Sequence, residues 1–316
     1  MTKKRSDLPS AMAFLAPNLI GFLAFTAGPV LFSFGASLTN WNLQRTVPFR
    51  FTGFQNYLDL MHDGDFWLYL GNTVYLMLGI PVAIAGSLWV AILLNRKLRG
   101  IGIFRTLLYL PSFTSGVALM ILWKSLYNPE FGPINEAIHT LSGGHVDGPQ
   151  WLLSTRNLAG LAVEHLGIDA KQLGLGARDA LNIMGVWGAI GGSNMLLYLA
   201  ALTNVPEELL EAAQLDGAGK WAAFHAVTWP SLAPTTFFIV IMSVIGGLQG
   251  GFETARIMSS GGPANTTTTV AYHIYSQAFE QFKIGYASAI SWFLFAIIFA
   301  ITLVNWRFGQ RGAADG

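Results

Sequence analysis

Apolar residues run along this chain in long uncharged stretches. Leu8 to Gln44 carries no charged side chain, and its apolar part, about Ala11 to Leu38, is long enough to cross a bilayer with tilt. Uncharged windows recur at Phe66–Asn95, Thr106–Trp123, Ala180–Pro206, Trp221–Phe252 and Ile284–Trp306. A charge at bilayer centre costs at least about 2.5–3.5 kcal/mol, so such windows mark spans. Ile257–Phe279 is also uncharged, but Gly261-Gly262-Pro263 and the threonines at 266–269 read as a loop. The pattern predicts an all-α membrane protein with six transmembrane helices. Lys3-Lys4-Arg5 before an apolar run resembles a signal peptide, yet the run far exceeds the usual 7–15 residues, so a retained first helix is expected.

One stretch breaks the pattern. Asn204–Pro234 lies between two apolar windows and is the most polar and punctuated part of the chain. Asn204 is a candidate N-cap, Pro206 suits a first turn, and Glu207 and Glu208 favour the positive helix end. Leu209, Ala212 and Ala213 are expected on one helical face. Asp216-Gly217 should end that helix, with Asp bonding to turn amides, and a second piece is expected over Ala218–Thr228, framed by Pro230 and Pro234. The shape is two short helices at a membrane surface, suited to being held by a partner.

Composition supports lipid as the solvent: 53% of the 316 residues are hydrophobic and 11% charged, against about 25% charged in a soluble domain. The net charge of +1 gives no reason to expect nucleic acid, and zero cysteines exclude disulfides, iron–sulfur clusters and thiolate zinc sites. Basic residues set the orientation. With the N-terminus inside, inner segments hold 10 Lys and Arg in 44 positions and outer segments 8 in 112. Arg96, Lys97, Arg99 and Arg105 weigh most, so both termini and the 204–234 stretch are expected to be cytoplasmic. Trp41, Phe49, Phe51, Phe54 and Tyr57 suit a membrane interface, and Arg156–Leu166 is expected to form one helical piece in the long outer segment.

Catalysis finds no support. The six histidines lack metal-ligand spacing, and Gly217-Ala218-Gly219-Lys220 fails as a phosphate loop because Gln214 and Trp221 replace the first Gly and the Ser/Thr. No catalytic residue, metal site or bound cofactor is expected. The spans offer neutral groups instead, including Asn72, Ser115, Trp187, Ser193, Asn194, Ser243, Gln249, Ser291 and Trp292, with Glu253 at the outer end of the fifth window. Such groups suit a neutral, hydroxyl-rich solute, or merely bond helix to helix. Gly188/Gly192 and Gly246/Gly250 have the spacing of a close-packing device.

Glu211-Ala212-Ala213, then Asp216-Gly217-Ala218, Phe224, Pro230 and Pro234, resembles the EAA loop of binding-protein-dependent ABC importer permeases. Leu94–Gly100, Phe104-Arg105-Thr106, Tyr109-Leu110-Pro111, Tyr127-Asn128-Pro129, Gly261-Gly262-Pro263 with Thr267–Thr269, and Gly285–Ala289 are similar to the sugar-importer branch, in particular the first permease of the maltose/glycerol-phosphate type. Gly191-Gly192-Ser193 departs from that pattern, where an aromatic commonly precedes Asn194. The resemblance implies a type I ABC importer (MetI-like) transmembrane domain over 66–308, after a first helix and outer loop at 1–65 and before a cytoplasmic tail at 309–316. It implies a heterodimer with a second permease, a cytoplasmic ATPase dimer carrying the ATP and Mg, an external solute-binding protein, and a prokaryotic cell membrane. Glu211, Ala212, Ala213, Asp216, Gly217 and Ala218 would couple to the ATPase, and Ser193, Asn194, Ser243, Gln249 and Glu253 would line the sugar's path. The competing expectation is a secondary carrier or channel for a neutral polar solute.

Overall fold

In a computed structural model of the protein, residues 8–44, 48–96, 99–158 and 174–314 are described. Lys97 of the basic cluster, Lys3-Lys4-Arg5 and most of the expected 156–166 helix lie outside them. The regular elements of the described residues are helices, and an isolated antiparallel bridge joins Thr39 to Phe51. In chain order the helices are α1 (Ala11–Ser37), α2 (Gln55–His62), α3 (Gly64–Leu94), α4 (Ile101–Phe113), α5 (Gly116–Leu126), α6 (Pro133–Leu141), α7 (Ala177–Thr203), α8 (Glu207–Leu215), α9 (Lys220–Gln249), α10 (Val270–Tyr275) and α11 (Ile284–Ala314). Five of them, α1, α3, α7, α9 and α11, are long and apolar enough to cross a membrane, and α4 with α5 makes a sixth span if the bent pair counts as one.

That third window is not a straight helix. α4 and α5 meet at 95°. Pro111 removes a backbone donor, a 3-10 turn follows over Leu110–Phe113, and Thr114 and Ser115 are extended, at ψ 137° and 127°. The last helix continues past residue 308 into the 309–316 segment and ends at Ala314.

The chain divides into two compact units. The larger comprises residues 65–272 and 298–316. Its core joins Val90, Ala91 and Leu94 of α3, Met195, Tyr198, Leu199 and Leu202 of α7, and Leu232 and Ile239 of α9. Within each helix these recur at three-, four- or seven-residue spacing, so each supplies one face. A second cluster packs Trp123, Tyr127 and Trp151 on Ala180, Leu181 and Met184. There the Tyr127 hydroxyl donates to the Ala180 carbonyl at 2.9 Å, and burial pushes that hydroxyl above the ordinary tyrosine range. Trp151 Nε1 donates to Asn135 Oδ1 at 2.6 Å, fastening the loop after α6.

The smaller unit comprises residues 1–64 and 273–297. Trp292 of α11 donates to Ser33 Oγ of α1 at 3.1 Å and packs edge-on against Phe34. Phe49, Phe51 and Phe54 stand exposed, Phe54 contacts Tyr57, and Trp41 packs edge-on against Phe32 at the end of α1. Apolar side chains such as Phe14 and Phe25 also project from α1 without cover, as lipid-facing residues do.

Candidate functional site

The stretch between the fourth and fifth spans forms a helix, a sharp stop and a second helix. α8 starts at Glu207 with Pro206 as its cap residue. Asn204 is not its N-cap: it caps the C-terminus of α7, its amide donating to the Ala201 carbonyl at 3.1 Å. Pro206 forces this, since its ring disfavours helical backbone at Val205.

At its other end the Ala218 amide donates to Ala213 O at 2.9 Å and the Gly217 amide to Gln214 O at 3.0 Å. With Gly217 at φ +81° this is a Schellman motif, in which a left-handed residue lets two amides reach the last helical carbonyls. Ala213 and Ala218 are its paired C3 and C″ positions, and both are half-buried. Half of the sequence signature is therefore a helix-stop device. Asp216 does not bond to the turn as expected; the closure is all backbone, and its carboxylate sits exposed at the negative end of α8.

The apolar face also turns differently. Leu210 and Ala213 pack inward, whereas Leu209, Glu211, Ala212 and Leu215 are exposed. Leu215 is 90% exposed and Trp221 74%. The second helix is no separate piece. Lys220 begins α9, which passes through a π-turn at Phe224–Thr228 and continues as one rod to Gln249. The π-turn bonds the Trp229 amide to Phe224 O, and Pro230 follows in the first turn of the regular helix beyond it.

The five span residues expected along a solute path do not gather in one place. Ser243 lines a cavity of about 340 Å³ within the larger unit, together with Thr73, Met77, Asn182, Thr254 and Thr269. Ser193 and Asn194 begin the second half of α7, Gln249 ends α9, and Glu253 sits exposed in a short helix, all outside that lining. The Gly246/Gly250 spacing is not a packing seam: both glycines line the cavity and Gly246 meets nothing. Close approach falls on Gly247 against Met77, Gly86 against Ile190, and Gly191 instead of Gly188. A Cβ at Gly191 would collide with the Leu108 carbonyl, so the chain needs glycine there.

Of the groups that fix the cavity's rim, sequence reasoning had singled out only Asn72. Asn72 Nδ2 donates to the carbonyls of Asn265 and Thr268 at 2.8 and 2.9 Å, and Thr73 Oγ1 accepts from the Val270 amide at 3.1 Å. Arg178 Nε donates to Thr266 O at 2.8 Å and its guanidinium lies over the Tyr75 ring. Tyr75 in turn donates to buried Asp179 at 2.5 Å, and Asp179 also accepts from the Leu158 and Gly176 amides. For the others the local signal was an Asp in the first turn of α7.

Residues 68–311 match the family model described as "Binding-protein-dependent transport system inner membrane component". The chain belongs to this family. Among curated relatives, a probable ABC transporter permease protein of Bacillus subtilis, YesP, is 33% identical over 96% of this chain and 91% of its own length. The lactose transport system permease protein LacF of Rhizobium radiobacter is 31% identical over 92% of this chain and 91% of its own. A bacterial alginate ABC transporter, crystallised with an alginate-bound periplasmic protein, contains a chain of the same fold, with TM-score 0.77 and 21% identity over 96% of this chain and 95% of that one. This binding-protein-dependent transport component is a multi-pass membrane permease.

Proposed function

We propose that the chain is the translocation subunit of an ATP-driven sugar importer. It pairs with a second permease and receives its sugar from an external binding protein in a prokaryotic cell membrane. Glu211, Ala212, Ala213, Asp216, Gly217 and Ala218 form the joint through which a separate ATPase dimer, carrying ATP and Mg, drives alternating access. The observation that carries the reading is the outer face of α8, where Leu209, Glu211 and Leu215 stand uncovered beside the helix that runs into the fifth span. A self-sufficient carrier has no use for such a face. Relatives whose names specify lactose, multiple sugars or glycerol phosphate support the substrate class.

The larger unit's cavity, with Ser243 in its wall, is the proposed station for the sugar; Ser193, Asn194, Gln249 and Glu253 serve the path on either side. Purifying the tagged chain from its host membrane should bring down an ATPase subunit and a second permease. Proteoliposomes of that complex should accumulate sugar only with ATP and binding protein. Solitary purification, or uptake without ATP, would return the secondary carrier to first place.

A further inference from the structure

A second hollow, of about 480 Å³, lies wholly within the smaller unit and shares no residue with the Ser243 cavity. Trp41, Asn42, Asp59, Asp63, Gln277 and Lys283 are in its wall. The walls are held by specific bonds. The Gly285 amide donates to Trp41 O and the Leu43 amide to Phe282 O, each at 3.0 Å, and Gly285 sits where any Cβ would strike the Thr39 carbonyl. Tyr286 donates to Asp63 Oδ2 at 2.6 Å, with His273 Nε2 4.0 Å from the same oxygen, and Gln55 donates to Asp59 Oδ1 at 2.8 Å, which orients both carboxylates and leaves Asp59 with acceptor capacity. Gln277 is only 7% exposed, and its Oε1 is buried with no hydrogen-bond partner.

We propose that this hollow is an accessory site for one sugar ring or a small polyol, separate from the translocation cavity. The ligand class rests on the sugar-import reading. Ligand hydroxyls donate to Asp59 and Asp63, Lys283 donates to a ligand oxygen, and the Trp41 ring supplies an apolar wall for the sugar's C–H face. The volume falls within the range of about 300–1,000 Å³ typical of small-molecule sites. A bare metal ion suits the hollow less well, because Lys283 opposes it and, among the described residues, no three His, Cys, Asp or Glu side chains are grouped to hold one. On the charge-based orientation, the segments 41–65 and 253–283 that wall the hollow lie outside.

The test is saturation-transfer NMR of lactose, maltose and glycerol at millimolar concentration with the full chain in lipid nanodiscs, without binding protein. At least one probe should give a signal, and Asp59→Asn and Trp41→Ala should each cut it at least fivefold. Asp59 is exposed, so Asp59→Asn should leave the thermal midpoint unchanged; if Trp41→Ala lowers that midpoint, Asp59→Asn alone decides. Silence from all three probes, a signal that survives Asp59→Asn, or its displacement by calcium chloride would overturn the site. Uptake by the assembled importer reads the broader proposal separately: lost uptake with intact saturation transfer removes the importer and keeps the site.

Discussion

Gly217 carries more of the coupling joint's geometry than the charged residues around it. Its φ of +81° lies where an L-residue pays about 1–2 kcal/mol, or roughly a 5- to 30-fold loss of the formed turn. A Cβ there meets no other atom, so the penalty is purely conformational. Gly217→Asn should therefore keep most uptake, because Asn tolerates the left-handed region, whereas Gly217→Val should lose about tenfold and Gly217→Pro nearly all. ATPase activity of the assembled complex would persist, uncoupled from uptake. Equal uptake by the Asn and Val variants would mean that the turn does not set coupling. Asp216 poses the opposite case. Its carboxylate opposes the helix dipole, so Asp216→Asn should stabilise α8 by about 0.3–1 kcal/mol. If that charge grips a basic partner instead, the variant should release its ATPase at lower salt than the parent does, since ionic contacts are screened. Retention unchanged across a salt series would assign Asp216 no role at the interface.

At the level of elements, the apolar windows located the helices because membrane burial depends on the absence of charge, which a sequence displays directly. What lies between partners far apart in the chain was hidden. Tyr75 and Asp179 meet across 104 positions and Asn72 and Thr268 across 196, and no local pattern announces either pair. The 95° bend was half legible: Pro111 was in view, but an uncharged window looks the same straight or broken. The joint's stop at Asp216-Gly217 was readable because a left-handed glycine is a local requirement, while the direction of Leu209 was not, since it depends on which side α7 and α9 leave open.

Asn72 shows what the hidden bonds are worth. Asn72→Leu would orphan the buried Thr268 carbonyl, at about 1–3 kcal/mol, offset in part by removing its own unbonded Oδ1, while the Asn265 carbonyl keeps its bond from the Thr268 amide. With about 2–4 °C of midpoint per kcal/mol in a domain of this size, the variant should melt several degrees lower and expose the 261–269 turn to protease first. A parent-like midpoint would show that the turn is held by other contacts.

For the molecule as a whole, orientation is the quantity on which the coupling joint and both cavities depend. It follows here from the density of Lys and Arg near span ends, 10 in 44 inner positions against 8 in 112 outer ones. The chain has no cysteine, so single thiols report sidedness without background. His145, in the loop after α6, and Leu215, at the end of α8, are both exposed and lie on opposite sides in this topology. In spheroplasts a membrane-impermeant maleimide should label His145→Cys at once and Leu215→Cys only after lysis. Labelling in the reverse order would invert the protein and place α8 beyond the reach of any cytoplasmic ATPase. The same thiol then tests the partner. Leu215 is nine-tenths uncovered in this chain alone, so a docked ATPase should shield Leu215→Cys by at least several-fold after lysis, and its removal should restore labelling. Shielding absent in a complex that still imports would place the grip elsewhere on the inner face, and would leave the exposed side of α8 without a partner.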